Sequence, residues 1–164
     1  MNDNGKAADT GELQVDVFID PAQMEGLTVY FVEDEVQMRK AYRRKTMGAP
    51  YQTEFFKDGD SALDAIDNAD GLALVVSDLQ LGNCIDGVEV LNRTAVKHPH
   101  ASRILISTTV DIDTARRQYG AAAHAYLNKN EMVAPAATEL FRQIMDAAVM
   151  EYLRKIHEQQ DPNP

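Results

Sequence analysis

The sequence predicts an α/β domain: a doubly wound, five-stranded parallel sheet with helices on both faces and an extended C-terminal helix. Two observations carry this. Short β-branched and aromatic runs, too short for helices, alternate with amphipathic stretches along the chain. Polar, chemistry-bearing residues also recur just after those runs, at the carboxyl ends of the expected strands, where open α/β sheets bind ligands.

The elements follow in order. Leu27 to Val32 is a buried strand, and Glu35 to Met47 a helix with Met38 and Tyr42 on one face. Gln52 to Phe56 is the second strand. After the turn Lys57-Asp58-Gly59-Asp60, Ser61 caps a helix through about Asp67. Leu72 to Val76 is the third and most apolar strand, followed by a helix over Gly87 to Lys97 that ends at His98-Pro99. Arg103 to Ile106 is a strand, Asp111 to Tyr119 a helix and His124 to Leu127 a last short strand. A long helix then runs from Ala136 to Gln159, where Asp161-Pro162 stops it.

The length of 164 residues suits one domain with short tails, and 45% hydrophobic against 26% charged residues excludes a disordered chain. No apolar run is long enough for a membrane span, and the polar, acidic start lacks a signal-peptide pattern. A single cysteine, Cys84, fits a reducing, cytoplasmic setting and builds neither disulfide nor zinc site. We read this loop thiol as incidental. His98, His100, His124 and His157 have no ligand spacing. The net charge of −10 argues against a nucleic-acid partner. Residues 1–26 read as a flexible extension, with a short strand or arm at 13–19; the domain runs from 27 to 160, and 161–164 is a tail.

At the strand ends stand Glu33, Asp34 and Glu35 after the first strand and Asp78 after the third. Ser107, Thr108 and Thr109 follow the fourth, and Lys129 lies near the end of the fifth. Several carboxylates crowd together in ionised form only with a compensating cation, and an oxygen-only set with room for water and phosphate suits Mg²⁺. Lysine and a hydroxyl complete a cradle for a tetrahedral dianion, in which an Asp can itself be the nucleophile toward phosphorus.

These residues sit in segments that resemble the receiver domain of two-component response regulators over about residues 27–150. The segments are Val32-Glu33-Asp34-Glu35 with Arg39, Asp58-Gly59-Asp60-Ser61-Ala62-Leu63, Val76-Ser77-Asp78-Leu79 with Asp86-Gly87-Val88-Glu89-Val90-Leu91, Ile104-Leu105-Ile106-Ser107, and Ala122 to Lys129. The resemblance implies a flavodoxin-like strand order 2-1-3-4-5. It implies that Asp78 accepts a phosphoryl group from a sensor histidine kinase or phosphotransfer protein. Mg²⁺ would be held by Glu33, Asp34, Asp78 and the Gln80 backbone carbonyl. Lys129 would pair with the phosphoryl oxygen, and Ser107, which the spacing to Lys129 favours over Thr108, would turn toward it and let Tyr126 move inward. Only self-phosphorylation and autodephosphorylation chemistry is then expected. With no output domain after the last helix, the expected role is a stand-alone switch acting on a downstream protein.

Three departures accompany the resemblance. Gly82 replaces a proline usual four residues after the acceptor, and the loop Leu79 to Ile85 is one residue longer than common. Asn130 replaces the proline that usually follows the lysine in a cis bond. Without proline that bond costs about 2.5–4 kcal/mol, so a trans peptide is expected.

Rival readings are a phosphorelay intermediate and a haloacid-dehalogenase-like phosphatase, against which stands Gln80 where a second Asp is needed. An FMN carrier is weaker still, since Glu33-Asp34-Glu35 repels phosphate. Arg39, Lys40, Arg43, Arg44 and Lys45 put five of the sixteen basic residues on the first helix, as a solvated face or a dock for an acidic helix. The last helix's distal stripe, Val149, Tyr152, Leu153 and Ile156, is expected to overrun the sheet and bury itself in a homodimer, or under the 13–19 arm.

Overall fold

The structure, a computed structural model, describes residues 20–82, 84–108 and 111–160. The arm expected at 13–19, with Thr109 and the tail, lies outside the described residues. Five strands form one parallel sheet: β1 (Thr28–Val32), β2 (Gln52–Phe56), β3 (Leu72–Asp78), β4 (Ser102–Ser107) and β5 (Ala125–Asn128), in the order β2-β1-β3-β4-β5. The helices are α1 (Val36–Lys45), α2 (Gly59–Asn68), α3 (Gly87–Lys97), α4 (Ile112–Tyr119), α5 (Lys129–Val133) and α6 (Thr138–Gln160).

Alternation along the strands divides the core in two. Val29, Phe31, Ile104, Ile106 and Leu127 join Tyr42 of α1, Met132 of α5 and Phe141, Ile144 and Met145 of α6. Tyr30, Val32, Val75, Leu105 and Tyr126 join Ala62 and Ile66 of α2, Val90 and Leu91 of α3 and Ala115 of α4. β1, β3 and β4 are buried along their whole lengths; β1 and β3 read as apolar runs for that reason, and β4 carries its apolar run at Ile104–Ile106. On the α1–α6 face, Phe31 stacks on Tyr42 at 5.5 Å and Tyr42 on Phe141 at 5.7 Å between ring centroids.

Several local expectations need correction. Asp58, not Ser61, caps α2: its Oδ1 accepts from the Ser61 N–H at 2.8 Å. β5 begins at Ala125, because His124 is used at the strand's entry, where its Nδ1 accepts from the Arg103 N–H at 3.1 Å. The long helix is preceded by a separate short one, α5, which Asn128 caps by accepting from the Asn130 N–H at 2.9 Å. The described residues contain no cis peptide bond, so Lys129 enters α5 through a trans link. The fold also begins before Leu27, since a 3-10 turn over Pro21–Met24 buries Met24 in the core.

The distal stripe of α6 is less free than expected. Val149 is fully buried within one chain, and Tyr152 and Leu153 pack against the same cluster as Met24 and Leu27. The helix is pinned along the sheet by the Ser102 hydroxyl, which donates to the Ala148 carbonyl at 2.7 Å. Beyond Val149 the stripe is only partly covered, with Tyr152, Leu153 and Ile156 half-buried.

Phe141 is 0% exposed and stacks on both Tyr42 and Phe31. Phe141→Ala should destabilise the fold by about 3–5 kcal/mol, read as a shifted denaturation midpoint at constant slope.

Candidate functional site

The parallel registers set the site. Val32 is paired with Ser77, so Glu33, the next residue of the chain, comes level with Asp78 at the end of β3. Asp78 is paired with Ile106, which leaves Ser107 one residue beyond it, and Ser107 is paired with Asn128, directly before Lys129. Three neighbouring crossovers thus bring a carboxylate pair, an aspartate, a hydroxyl and a lysine to one sheet edge.

Lys129 Nζ lies 2.9 Å from Asp78 Oδ2, to which it donates a hydrogen bond, and 2.8 Å from Glu33 Oε2, as an ion pair without hydrogen-bond alignment. Glu35 is the outer partner at 3.9 Å. Glu33 is 0% exposed, Lys129 6% and Asp78 7%. Glu33, Asp34 and Asp78 each offer an oxygen, all within 4.8 Å of one another; Asp34, unlike the other two, is exposed. This oxygen-only set, with one open side, fits Mg²⁺, which keeps several waters when bound by a few carboxylates.

The backbone around the cluster is tightly held. Arg39 Nη1 donates to the carbonyls of Glu33 at 2.6 Å and Asp34 at 2.7 Å, clamping the turn between β1 and α1. The Glu35 N–H donates to Glu33 Oε1 at 3.0 Å, which fixes that carboxylate's rotation. The Gln80 N–H donates to Asp78 Oδ1 at 3.4 Å. Gly87, the first residue of α3, approaches β3 so closely that a Cβ there would stand 2.0 Å from the Asp78 carbonyl oxygen.

Ser107 is buried and Thr108 exposed. Tyr126 is already inside: its ring is 5% exposed in the α2–α4 cluster, and its hydroxyl has no hydrogen-bond partner among the described residues.

The basic face of α1 is largely spoken for. Besides the Arg39 clamp, Arg43 lies over the Phe55 ring at 4.8 Å. Lys45, 5% exposed, donates from Nζ to the Ala134 carbonyl and the Thr138 hydroxyl, both at 2.9 Å. Charge alone thus puts Lys45 on the wrong face. The spacing Met38, Tyr42, Lys45 continues the helix's buried stripe and is the signal for it. The close approach of Gly87 to β3 is not legible in the sequence, because it depends on tertiary contact.

Burial raises the Glu33 carboxyl to about 7, against the opposing pull of Lys129. Burial raises Asp78 as well, again opposed by Lys129. Burial acts to lower Lys129, but its bonds to Glu33 and Asp78 outweigh that and hold the ammonium charged.

The response regulator receiver domain family matches residues 29–140. No curated protein matches the chain. Among solved structures, a response regulator receiver domain protein from Methanospirillum hungatei superposes with a TM-score of 0.67 at 17% identity, covering 79% of this chain and 98% of that one. The signal receiver domain of an HD domain-containing protein from Pseudomonas fluorescens gives 0.62 at 22% identity, covering 77% and 97%. The N-terminal domain of a response regulator/sensory box/GGDEF protein from Carboxydothermus hydrogenoformans gives 0.65 at 18% identity, covering 79% and 99%. At these identities the structures speak for the fold.

The raised Glu33 pKa has a definite sign for stability. The folded carboxyl holds its proton more tightly than the unfolded one, near 4.5, so this contribution stabilises the fold at low pH and is lost as pH rises from 4.5 through about 7. Asp78 acts in the same direction, and Lys129 changes only at alkaline pH. The buried His124 imidazole, lowered to about 4, acts oppositely and gains stability as pH rises from 4 to 6.5. The test is therefore a difference: in a chelator, the denaturation midpoint of the wild type relative to Glu33→Gln should fall between pH 4 and 8.

Proposed function

The chain belongs to the response regulator receiver domain family, and from that premise we propose that it is a phosphorylation-dependent signalling switch whose phosphoacceptor is Asp78. The observation that carries this reading is the buried lysine bridge, Lys129 Nζ at 2.9 Å from Asp78 and 2.8 Å from Glu33. It holds a cation where a phosphoryl oxygen would arrive and opposes the burial that raises the Asp78 carboxyl, which favours the nucleophilic carboxylate.

In this reading a carboxylate oxygen of Asp78 attacks phosphorus. The O–P bond of an acyl phosphate forms as the N–P bond to the donor's histidine breaks, and the imidazole leaves. Lys129 pairs with a phosphoryl oxygen as a point charge, and the Ser107 hydroxyl donates to another. Glu33, Asp34, Asp78 and the Gln80 carbonyl would hold Mg²⁺. The ion would supply charge neutralisation between the carboxylate and the incoming phosphoryl group. The partners are a sensor histidine kinase or phosphotransfer protein upstream and a protein target downstream, in the cytoplasm. No helix among the described residues is long and apolar enough to cross a membrane. A homodimer through α6 would rest on Tyr152, Leu153 and Ile156, with Val149 committed to the core.

Acetyl phosphate or phosphoramidate with Mg²⁺ should add one phosphoryl group to the wild-type chain by intact mass, and none to Asp78→Asn. Equal labelling of that variant would remove Asp78 from the role. Asp34→Ala should lose both Mg²⁺ binding and labelling.

A further inference from the structure

Gly82 stands in the loop after β3, with φ at +66°, in a region that side-chain-bearing residues rarely adopt. A Cβ there would lie 2.9 Å from Asp34 Oδ2, below any normal contact. We infer that Gly82 is a positioning residue for the cation site: the loop leans on the Asp34 carboxylate so closely that only glycine leaves it in place as a ligand. The inference rests on the metal reading above and extends it to a residue outside the carboxylate set.

The described residues on either side of Gly82 are tied, with the Leu79 N–H donating to the Ile106 carbonyl at 3.1 Å and the Gly87 N–H to the Leu79 carbonyl at 3.0 Å. Leu79 and Leu81 are both buried, in the cluster shared with α2 and α3. Farther along, Ile85 is seated against Gly59 at the start of α2, where a Cβ would meet Ile85 Cγ2 at 2.5 Å. The loop therefore crosses from β3 over the end of β1 to α2, anchored on both sides of Gly82.

What can yield is the Asp34 carboxylate, the exposed end of a short side chain. Turning it aside costs the fold little, yet it moves one of the three oxygens that meet within 4.8 Å. A side chain at position 82 should thus act on cation affinity more than on stability. Glycine here also explains the departure from proline: proline fixes φ near −65°, which the loop's +66° excludes.

Two controls separate this from ordinary backbone strain. Gly48 has a φ of +80°, and a Cβ there would meet nothing within 4 Å, so Gly48→Ala carries the same backbone cost without the contact. Gly82→Asn keeps the Cβ contact but suits a left-handed backbone better than alanine does. Mg²⁺ titrations of the full chain, followed by the Gly87 amide resonance, are compared with melting temperatures in a chelator. Gly82→Ala and Gly82→Asn should weaken Mg²⁺ about 10-fold or more, the scale of a lost positioning contact at a metal site. Gly48→Ala should bind as the wild type does while melting lower, as Gly82→Ala does. Gly82 variants that bind Mg²⁺ like Gly48→Ala would overturn the inference while leaving the metal reading intact, provided Asp34→Ala has lost binding. An unchanged titration in Asp34→Ala would overturn both.

Discussion

One buried lysine holds the site together. Two carboxylates at the ends of adjacent strands, both largely out of water, repel each other and resist ionisation. Lys129, with Nζ within 3 Å of each, offsets that repulsion. The arrangement constrains three strands at once, because Glu33, Asp78 and Lys129 leave β1, β3 and β5. A slip of one residue in either register would turn every side chain of a strand to the other face and separate the three. β1 and β3 are buried along their whole lengths, so such a slip would also have to repack both layers of the core.

The lysine also connects the fold to the proposed chemistry. Lys129 serves as the counter-charge for both carboxylates. In the proposed reading Glu33, Asp34 and Asp78 would hold Mg²⁺, which would supply further charge neutralisation, and Lys129 would pair with a phosphoryl oxygen. Glu33 alone of the three carboxylates is completely buried, so it depends most on a neighbouring cation.

Much of this was legible in the sequence, for identifiable reasons. The strands declared themselves because a sheet covered on both faces needs unbroken apolar runs, and Leu72–Asp78 has nowhere polar to point until its last residues. Chain order then places the polar residues after each run at the same edge, so Glu33, Asp34, Asp78, Ser107 and Lys129 could be named before any coordinates. What stayed hidden depends on single local bonds or on approach between distant segments. α5 escapes a reading by pattern because its five residues carry no periodicity and its only mark is the Asn128 cap. The α6 stripe is legible as apolar, but not how much of it one chain covers: Val149 is fully buried while Tyr152 and Leu153 pack only partly against the core.

Lys45 shows how a residue far from the chemistry supports it. The last carbonyls of a helix lack partners within that helix. At the end of α1, Arg142 Nε of α6 donates to the Lys45 carbonyl at 2.7 Å. In the opposite direction, Lys45 Nζ donates to the carbonyl of Ala134, just past α5, and to Thr138 at the start of α6. The two contacts form a reciprocal clasp between α1 and the α5–α6 junction. α5 begins at Lys129 itself and ends one residue before Ala134, so the clasp anchors the far end of the helix that the lysine opens. Arg39, on the same α1, clamps the carbonyls of Glu33 and Asp34 at the other end. One helix therefore fixes both sides of the ion pair: the carboxylates through its first turn, and the ammonium through its last.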